Sequence, residues 1–202
     1  MIRLNMFVVC SILLSGCMKD KMSFEELQSY VVDSDNGLSK SVMANGIDVT
    51  VTYRPPDLWV HQDVDGVVSS NRTIDSLRYK YSQYYYFILS LSRGDKEALQ
   101  VSSSYDYGEI VQTMAFRMSD YVTLTSSEKD TVLVGDFVLN RTQGIASSTD
   151  MLFAFGKEKI GNDKSVQFNL KEFGLGTGDQ QFTFLINDLQ STPRIDFGIL
   201  EK

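Results

Sequence analysis

Apolar and polar residues alternate with a period of two along much of this chain, and short helical stripes interrupt the alternation. Ile47, Val49, Val51 and Tyr53 are separated by polar residues, the mark of a strand with one buried face. The same spacing returns in Val122/Leu124, Val132/Val134, Phe137/Leu139, Val166/Phe168/Leu170 and Phe182/Phe184/Ile186, with a further apolar run at Leu152–Phe155. Asn45-Gly46 directly precedes the first of these strands. Both residues tolerate the positive φ that a two-residue type I′ hairpin turn requires. Tyr85-Tyr86-Phe87-Ile88-Leu89-Ser90-Leu91 is apolar almost throughout and predicts a buried strand, closed by a turn at Arg93-Gly94-Asp95-Lys96.

Helical spacing is confined to a few segments. Ser23-Phe24-Glu25-Glu26 has the form of a capping box, in which hydroxyl and carboxylate satisfy each other's orphan amides. Leu27, Tyr30 and Val31 form the stripe behind it, and the turn Asp33-Ser34-Asp35-Asn36-Gly37 ends the helix. Pro55-Pro56 stops the strand before it, and Asp57 to Asp63 predicts a short helical turn. Ile74, Leu77, Tyr81 and Tyr84 fall on one helical face. Ile110, Met114 and Met118, with Val111 and Ala115 beside them, predict a helix near 106–119. Turn residues punctuate the strands at the spacing of a sandwich or barrel. The expected fold is mainly β: an antiparallel β-sandwich, immunoglobulin-like in broad shape, with two or three short helices. A small barrel and an α+β arrangement are the alternatives.

The first 16 residues follow a different pattern. Arg3 is the lone charge, Met6–Leu14 is an apolar core, and small Ser15 and Gly16 precede Cys17. Nine apolar residues are too few to cross a bilayer, which takes about 20, so the segment has the layout of a processed leader. Leu14-Ser15-Gly16-Cys17 resembles the bacterial lipoprotein signal, Leu-(Ala/Ser)-(Gly/Ala)-Cys, at all four positions. That resemblance implies cleavage after Gly16, diacylglyceryl attachment at Cys17, and a membrane partner held through that lipid, at the bacterial outer membrane. Several acyl chains on one residue anchor durably, whereas a single chain holds only marginally. Met18-Lys19-Asp20-Lys21 lacks an Asp directly after the cysteine and looks like the export signal of surface-displayed lipoproteins in Bacteroidetes. Asp75-Ser76-Leu77 and Asp130-Thr131-Val132 resemble the O-glycosylation acceptor of the same group. Periplasmic and extracellular faces both stay open. With no repeat, low-complexity run or linker, the expected organisation is a leader at 1–16, a lipidated cysteine and tether at 17–22, and one β-rich domain at 23–202.

Charge and cysteine content narrow the chemistry. The chain carries 26 acidic against 19 basic residues, a net charge of −7, and the leader would take Arg3 with it. An acidic surface repels polyanions, which disfavours nucleic acid as a partner. Cys10 would leave with the leader and Cys17 would be acylated, so neither a disulfide nor a zinc–cysteine site is expected. His61 is the sole histidine, which precludes a conventional triad or a multi-histidine metal site. No cofactor, metal or catalytic residue is expected. A carboxylate-paired hydrolase is the enzymatic alternative, and it needs two carboxyl groups facing each other across a cleft.

Three further segments invite a binding role. Gly174-Leu175-Gly176-Thr177-Gly178 superficially resembles a phosphate loop but opens no helix and lacks a following Lys-Ser/Thr, so a glycine-rich turn is expected. Asp33–Gly37 and Asp63-Val64-Asp65-Gly66 offer oxygen ligands without the order of a calcium loop, and plain turns are expected there. The aromatic group Trp59, Tyr79, Tyr81, Tyr84, Tyr85 and Tyr86, with Tyr105 and Tyr107 beyond it, is the candidate ligand-binding surface. Tyr and Trp give rigid contact area with a polar tip, which suits protein interfaces and sugar faces. Strand alternation favours placing alternate members in the core. The expected activity is that of a non-enzymatic binding or assembly module whose partner is an envelope protein or a glycan. A surface-exposed binder of glycan or host protein is the alternative.

Overall fold

The computed structural model describes residues 21–65, 70–94, 96–98, 107–140, 147–160 and 163–198. Gly16, Cys17, Gly66, Asp95 and Tyr105 lie outside the described residues.

Strand β1 (Lys21–Met22) is followed by helix α1 (Phe24–Val32), which opens with the capping box the sequence announces. Glu26 N–H donates to Ser23 Oγ at 3.2 Å, and Ser23 N–H donates to Glu26 Oε2 at 2.9 Å. Leu27 and Val31 are buried beneath it. Strands β2 (Ser39–Ala44) and β3 (Ile47–Tyr53) then form a hairpin over Asn45-Gly46, with φ of 51° and 72°. Helices α2 (Pro56–Val64) and α3 (Asn71–Ser82) pack against each other before β4 (Tyr84–Ser92). Next come α4 (Tyr107–Phe116), β5 (Val122–Ser126), β6 (Thr131–Leu133), β7 (Asp136–Asn140) and β8 (Thr149–Gly156). The chain ends through β9 (Ser165–Leu170), β10 (Gln180–Leu185), α5 (Ile186–Gln190) and β11 (Arg194–Ile195).

The strands make two antiparallel sheets, in the orders β2-β3-β4-β8-β7 and β10-β9-β5-β6, and β1 and β11 add a two-stranded parallel ribbon. The fold is mainly β and sandwich-like, as the alternation predicts. Phe87 shows where the sheets meet. Its ring lies 5.7 Å from Phe168 and 5.0 Å from Phe184, across the gap, and 6.2 Å from Phe155 on its own sheet. Such tilted pairs add about 0.5–1.5 kcal/mol each beyond burial.

Several expectations change. Five α-helices appear among the described residues instead of two or three. Pro56 does more than stop β3: its fixed φ and missing N–H suit the first helical position, so α2 starts there. Tyr84 belongs to β4 and not to the helix before it, because α3 ends at Ser82. Within β4 only Tyr85, Phe87, Leu89 and Leu91 are buried, since the second sheet covers one face alone. Ile186 begins α5 instead of closing β10. Lys21 and Met22, expected in the tether, already pair with Arg194 and Ile195. No helix of the described residues is long and apolar enough to cross a membrane.

One polar contact holds the helical layer to the chain ends. Asp57, 5% exposed at the start of α2, accepts from Arg78 Nε at 2.9 Å and Nη2 at 2.8 Å. Asp57 Oδ2 also accepts the Ile195 amide at 2.7 Å, while Arg78 Nη2 donates to the Ile195 carbonyl at 3.0 Å. Removing one member of a buried pair strands the other charge, typically at a cost of about 3–5 kcal/mol. Asp57→Ala is therefore expected to destabilise the fold by about 3 kcal/mol in chemical denaturation. Asp57→Leu combined with Arg78→Met is expected to recover most of that loss. An Asp57→Ala variant as stable as the parent would show that the clamp carries no weight.

Candidate functional site

Alternation along β4 divides the aromatic group into two parts. Tyr84 and Tyr86 point to the outer face of the five-stranded sheet, and Tyr85 points inward, 3% exposed. On the outer side α2 contributes Trp59 and α3 contributes Tyr81. The Trp59 ring lies 6.0 Å from Tyr81 with planes 21° apart, and 5.3 Å from Tyr86. Tyr86 is 6.1 Å from Tyr81 and 6.0 Å from Tyr84. Arg54 follows β3, its amide donating to the Tyr86 carbonyl at 2.8 Å, and its guanidinium sits 4.2 Å over the Trp59 ring. Burial holds the Arg54 guanidinium below its usual pKa.

The result is a contiguous patch of four rings and one cation, of which Tyr84 is the most open member at 42% exposed. Tyr81 OH donates to Asp63 Oδ2 at 2.6 Å, which fixes that ring from below. Burial pushes the Tyr86 phenol up to about 12, so its hydroxyl stays a neutral donor. Trp59 Nε1 and Arg54 Nε are buried without an acceptor among the described residues. Tyr79 is 72% exposed, and no ring contact joins it to the patch among the described residues. The six candidates therefore separate: Trp59, Tyr81, Tyr84 and Tyr86 come together, Tyr85 lines the interior, and Tyr79 stands alone.

Beyond Tyr86 the outer sheet face becomes a shallow hydroxyl-lined groove, with Ser39, Ser41, Thr50, Thr52, Ser90 and Ser92 along it. Ser39 and Thr52 hydroxyls share a hydrogen bond of 2.8 Å across β2 and β3.

On the inner side lies a cavity of about 240 Å³, with Tyr53, Tyr85, Asp57, Arg78, Lys157 and Arg194 in its wall. Lys157 starts the turn after β8, and its Nζ sits 4.3 Å from the Tyr85 ring centroid. Burial pushes this amine down to about 8 from 10.5, and raises the phenols of Tyr53 and Tyr85. Sequence reading passed over Lys157 because nothing local marks it; enclosure by distant segments makes it unusual.

The glycine loop, Asp33 and His61 each have a partner within the fold. Gly174, Gly176 and Gly178 adopt positive φ and turn their amides onto Glu172. Glu172 Oε1 accepts from Gly174 at 2.7 Å and Gly176 at 2.8 Å, and Oε2 accepts from Gly178 at 2.5 Å. Burial alone would raise the Glu172 pKa, and these amides with Thr177 outweigh it, so the carboxylate is held low. The loop is an anion nest filled by the chain's own side chain. Asp33 caps the 3-10 turn Ser34–Asn36 by accepting from the Asp35 amide. His61 stacks on Phe24 at 3.8 Å. No group of three or more His, Cys, Asp or Glu that could hold a metal forms among the described residues.

No protein-family model matches the chain, and no curated protein matches its sequence. Among solved structures, a novel protein of unknown function from Burkholderia pseudomallei is similar with a TM-score of 0.42 and 9% identity, over 84% of this chain and 88% of that one.

Lys157 has a consequence for stability. Its folded pKa lies below its ordinary value, so the charged amine weakens the fold fully below about pH 8, and this cost fades as pH rises from 8 to 10.5. Lys157→Met is expected to stabilise the protein near pH 7 by on the order of 1–2 kcal/mol, allowing for partial exposure. The same variant should lose the rise in melting temperature between pH 8 and 10.5. A melting profile parallel to that of the parent across this range would place the amine in water.

Proposed function

We propose that this protein is a lipid-anchored envelope lipoprotein acting as a non-enzymatic binding module, with a glycan as its partner. The observation that carries the binding role is the patch of Trp59, Tyr81, Tyr84 and Tyr86. Sugar rings present apolar C–H faces edged by hydroxyls. Trp59 and Tyr81, with nearly parallel planes, offer the flat apolar counterpart. The adjoining Ser and Thr hydroxyls of the outer sheet face supply donors and acceptors for the sugar edges. A buried indole N–H and guanidinium Nε without acceptors are not what packing alone favours, which supports a functional origin for the patch. The excess of acidic residues supports a neutral partner over a polyanion.

The anchoring part rests on Leu14-Ser15-Gly16-Cys17. From Cys17 to β1 the chain can reach at most about 14 Å, at roughly 3.5 Å per residue. A lipid at Cys17 would keep the domain close to the outer membrane, on the periplasmic or the extracellular side.

Two experiments test the parts separately. Cys17→Ser is expected to abolish incorporation of labelled palmitate and to release the protein from membranes. A labelled, membrane-bound variant would sink the anchor. For the patch, a glycan array followed by calorimetry on its strongest hit is expected to find a neutral oligosaccharide. Trp59→Ala and Tyr84→Ala should each weaken that binding at least tenfold, about 1.4 kcal/mol. Tyr84→Ala should leave the melting temperature unchanged, because the ring is already half in water. An array without hits, or variants that bind as tightly as the parent, would end the glycan reading.

A further inference from the structure

The inner cavity shares no lining residue with the aromatic patch, and its wall has an uncommon charge arrangement. Asp57 is neutralised within the wall by Arg78. Lys157 has no ion-pair partner among the described residues, and its Nζ rests against the face of Tyr85. Arg194 adds a second cation at the exposed rim. Tyr53, Tyr85, the Asp57–Arg78 pair and Arg194 share the wall with Lys157, and Asp163 lies close enough to the Tyr85 hydroxyl to help raise its pKa. A half-buried ammonium without a counter-ion is costly to hold. The Tyr85 ring lies against it, Tyr53 lines the same wall, and burial keeps both phenols un-ionised; the Tyr85 hydroxyl accepts from Gln190 and keeps its own proton to donate. Pro55, Pro193 and Leu189 give part of the remaining wall an apolar lining, beside the polar Ser82, Gln190 and Thr192.

We propose that this cavity binds a small organic carboxylate, with its anionic group on Lys157 and the tyrosine hydroxyls and a short apolar body against Pro55 and Leu189. The volume sets the size: about 240 Å³ lies below the roughly 300–1,000 Å³ of drug-sized sites, so the ligand is a compact one. A carboxylate would supply the missing counter-charge, and binding would then hold the amine protonated. Affinity is accordingly constant below about pH 8, where the free amine is already charged. Above that it falls by up to tenfold per pH unit, because the site must first take up a proton.

Calorimetric titration of the full chain with sodium benzoate at constant ionic strength tests this, with benzyl alcohol as the uncharged control. Benzoate is expected to bind, benzyl alcohol at least tenfold more weakly. Lys157→Met should lose benzoate binding at least tenfold while melting no lower than the parent. Tyr85→Phe should weaken binding several-fold and keep the pH dependence. Should Lys157→Met fail to fold, the benzoate pH profile of the parent protein decides alone. Tyr84→Ala should leave benzoate binding unchanged, which separates this site from the glycan patch. No benzoate binding, equal binding of the alcohol, affinity independent of pH between 7 and 10, or full binding by Lys157→Met would each overturn the proposal.

Discussion

Asp57 binds three parts of the molecule with one carboxylate. It takes the fork of Arg78 from α3 and the amide of Ile195 from β11, although Ile195 lies 138 residues further along the chain. Arg78 closes the loop by donating to the carbonyl of the same residue, so the pair grips both polar groups of one peptide segment. β11 in turn pairs with β1, and the Asp196 amide donates to Met22 at 3.0 Å. The clamp therefore determines where the N-terminal segment meets the fold. It also contributes to one wall of the inner cavity and ties α2 to α3. Replacing Arg78 by Lys would keep the charge and lose the fork, which is the feature that reaches carboxylate and carbonyl together.

Short-range signals in the sequence were sufficient for much of the framework. The Ser23–Glu26 capping box, the Asn45-Gly46 turn and the period-two strands each depend on residues close in the chain, and each appears where its pattern lies. What escaped depends on distance. Asp57 looks like an ordinary acidic residue after two prolines; only partners 21 and 138 positions away make it buried and satisfied. Lys157 follows a strand in a charged turn and gives no local hint of enclosure. The run Tyr85–Leu91 misleads for a related reason. An apolar strand has the same composition whether a second layer covers one face or both, and here aromatic residues on the outer face meet helices instead of a sheet.

The aromatic site was legible as composition but not as geometry. Six aromatic residues near Trp59 and Tyr84 mark a region, yet alternation, helix phase and the α3–β4 junction decide which rings meet. Tyr84 and Tyr86 share a face because they are two residues apart on β4, and Tyr81 joins them because α3 ends immediately before that strand. The glycine loop shows the converse. Its sequence reads as a glycine-rich turn, and the structure turns its amides onto Glu172, two residues before Gly174.

Net charge and local charge act on different partners here. An excess of acidic residues raises the cost of bringing a long polyanion along the surface, over distances set by a Debye length of about 8 Å at physiological salt. Inside the cavity that long-range field would be a minor influence on a bound anion beside a half-desolvated ammonium, where the effective dielectric is far lower. On the proposed reading, the surface would repel extended anions while the cavity would attract a compact one, and the narrow volume would enforce the same distinction by shape. Lys157 links this selectivity to stability. The burial that makes its charge expensive in the empty protein is what a bound carboxylate would relieve, so a fold optimised for stability alone would carry Met at this position.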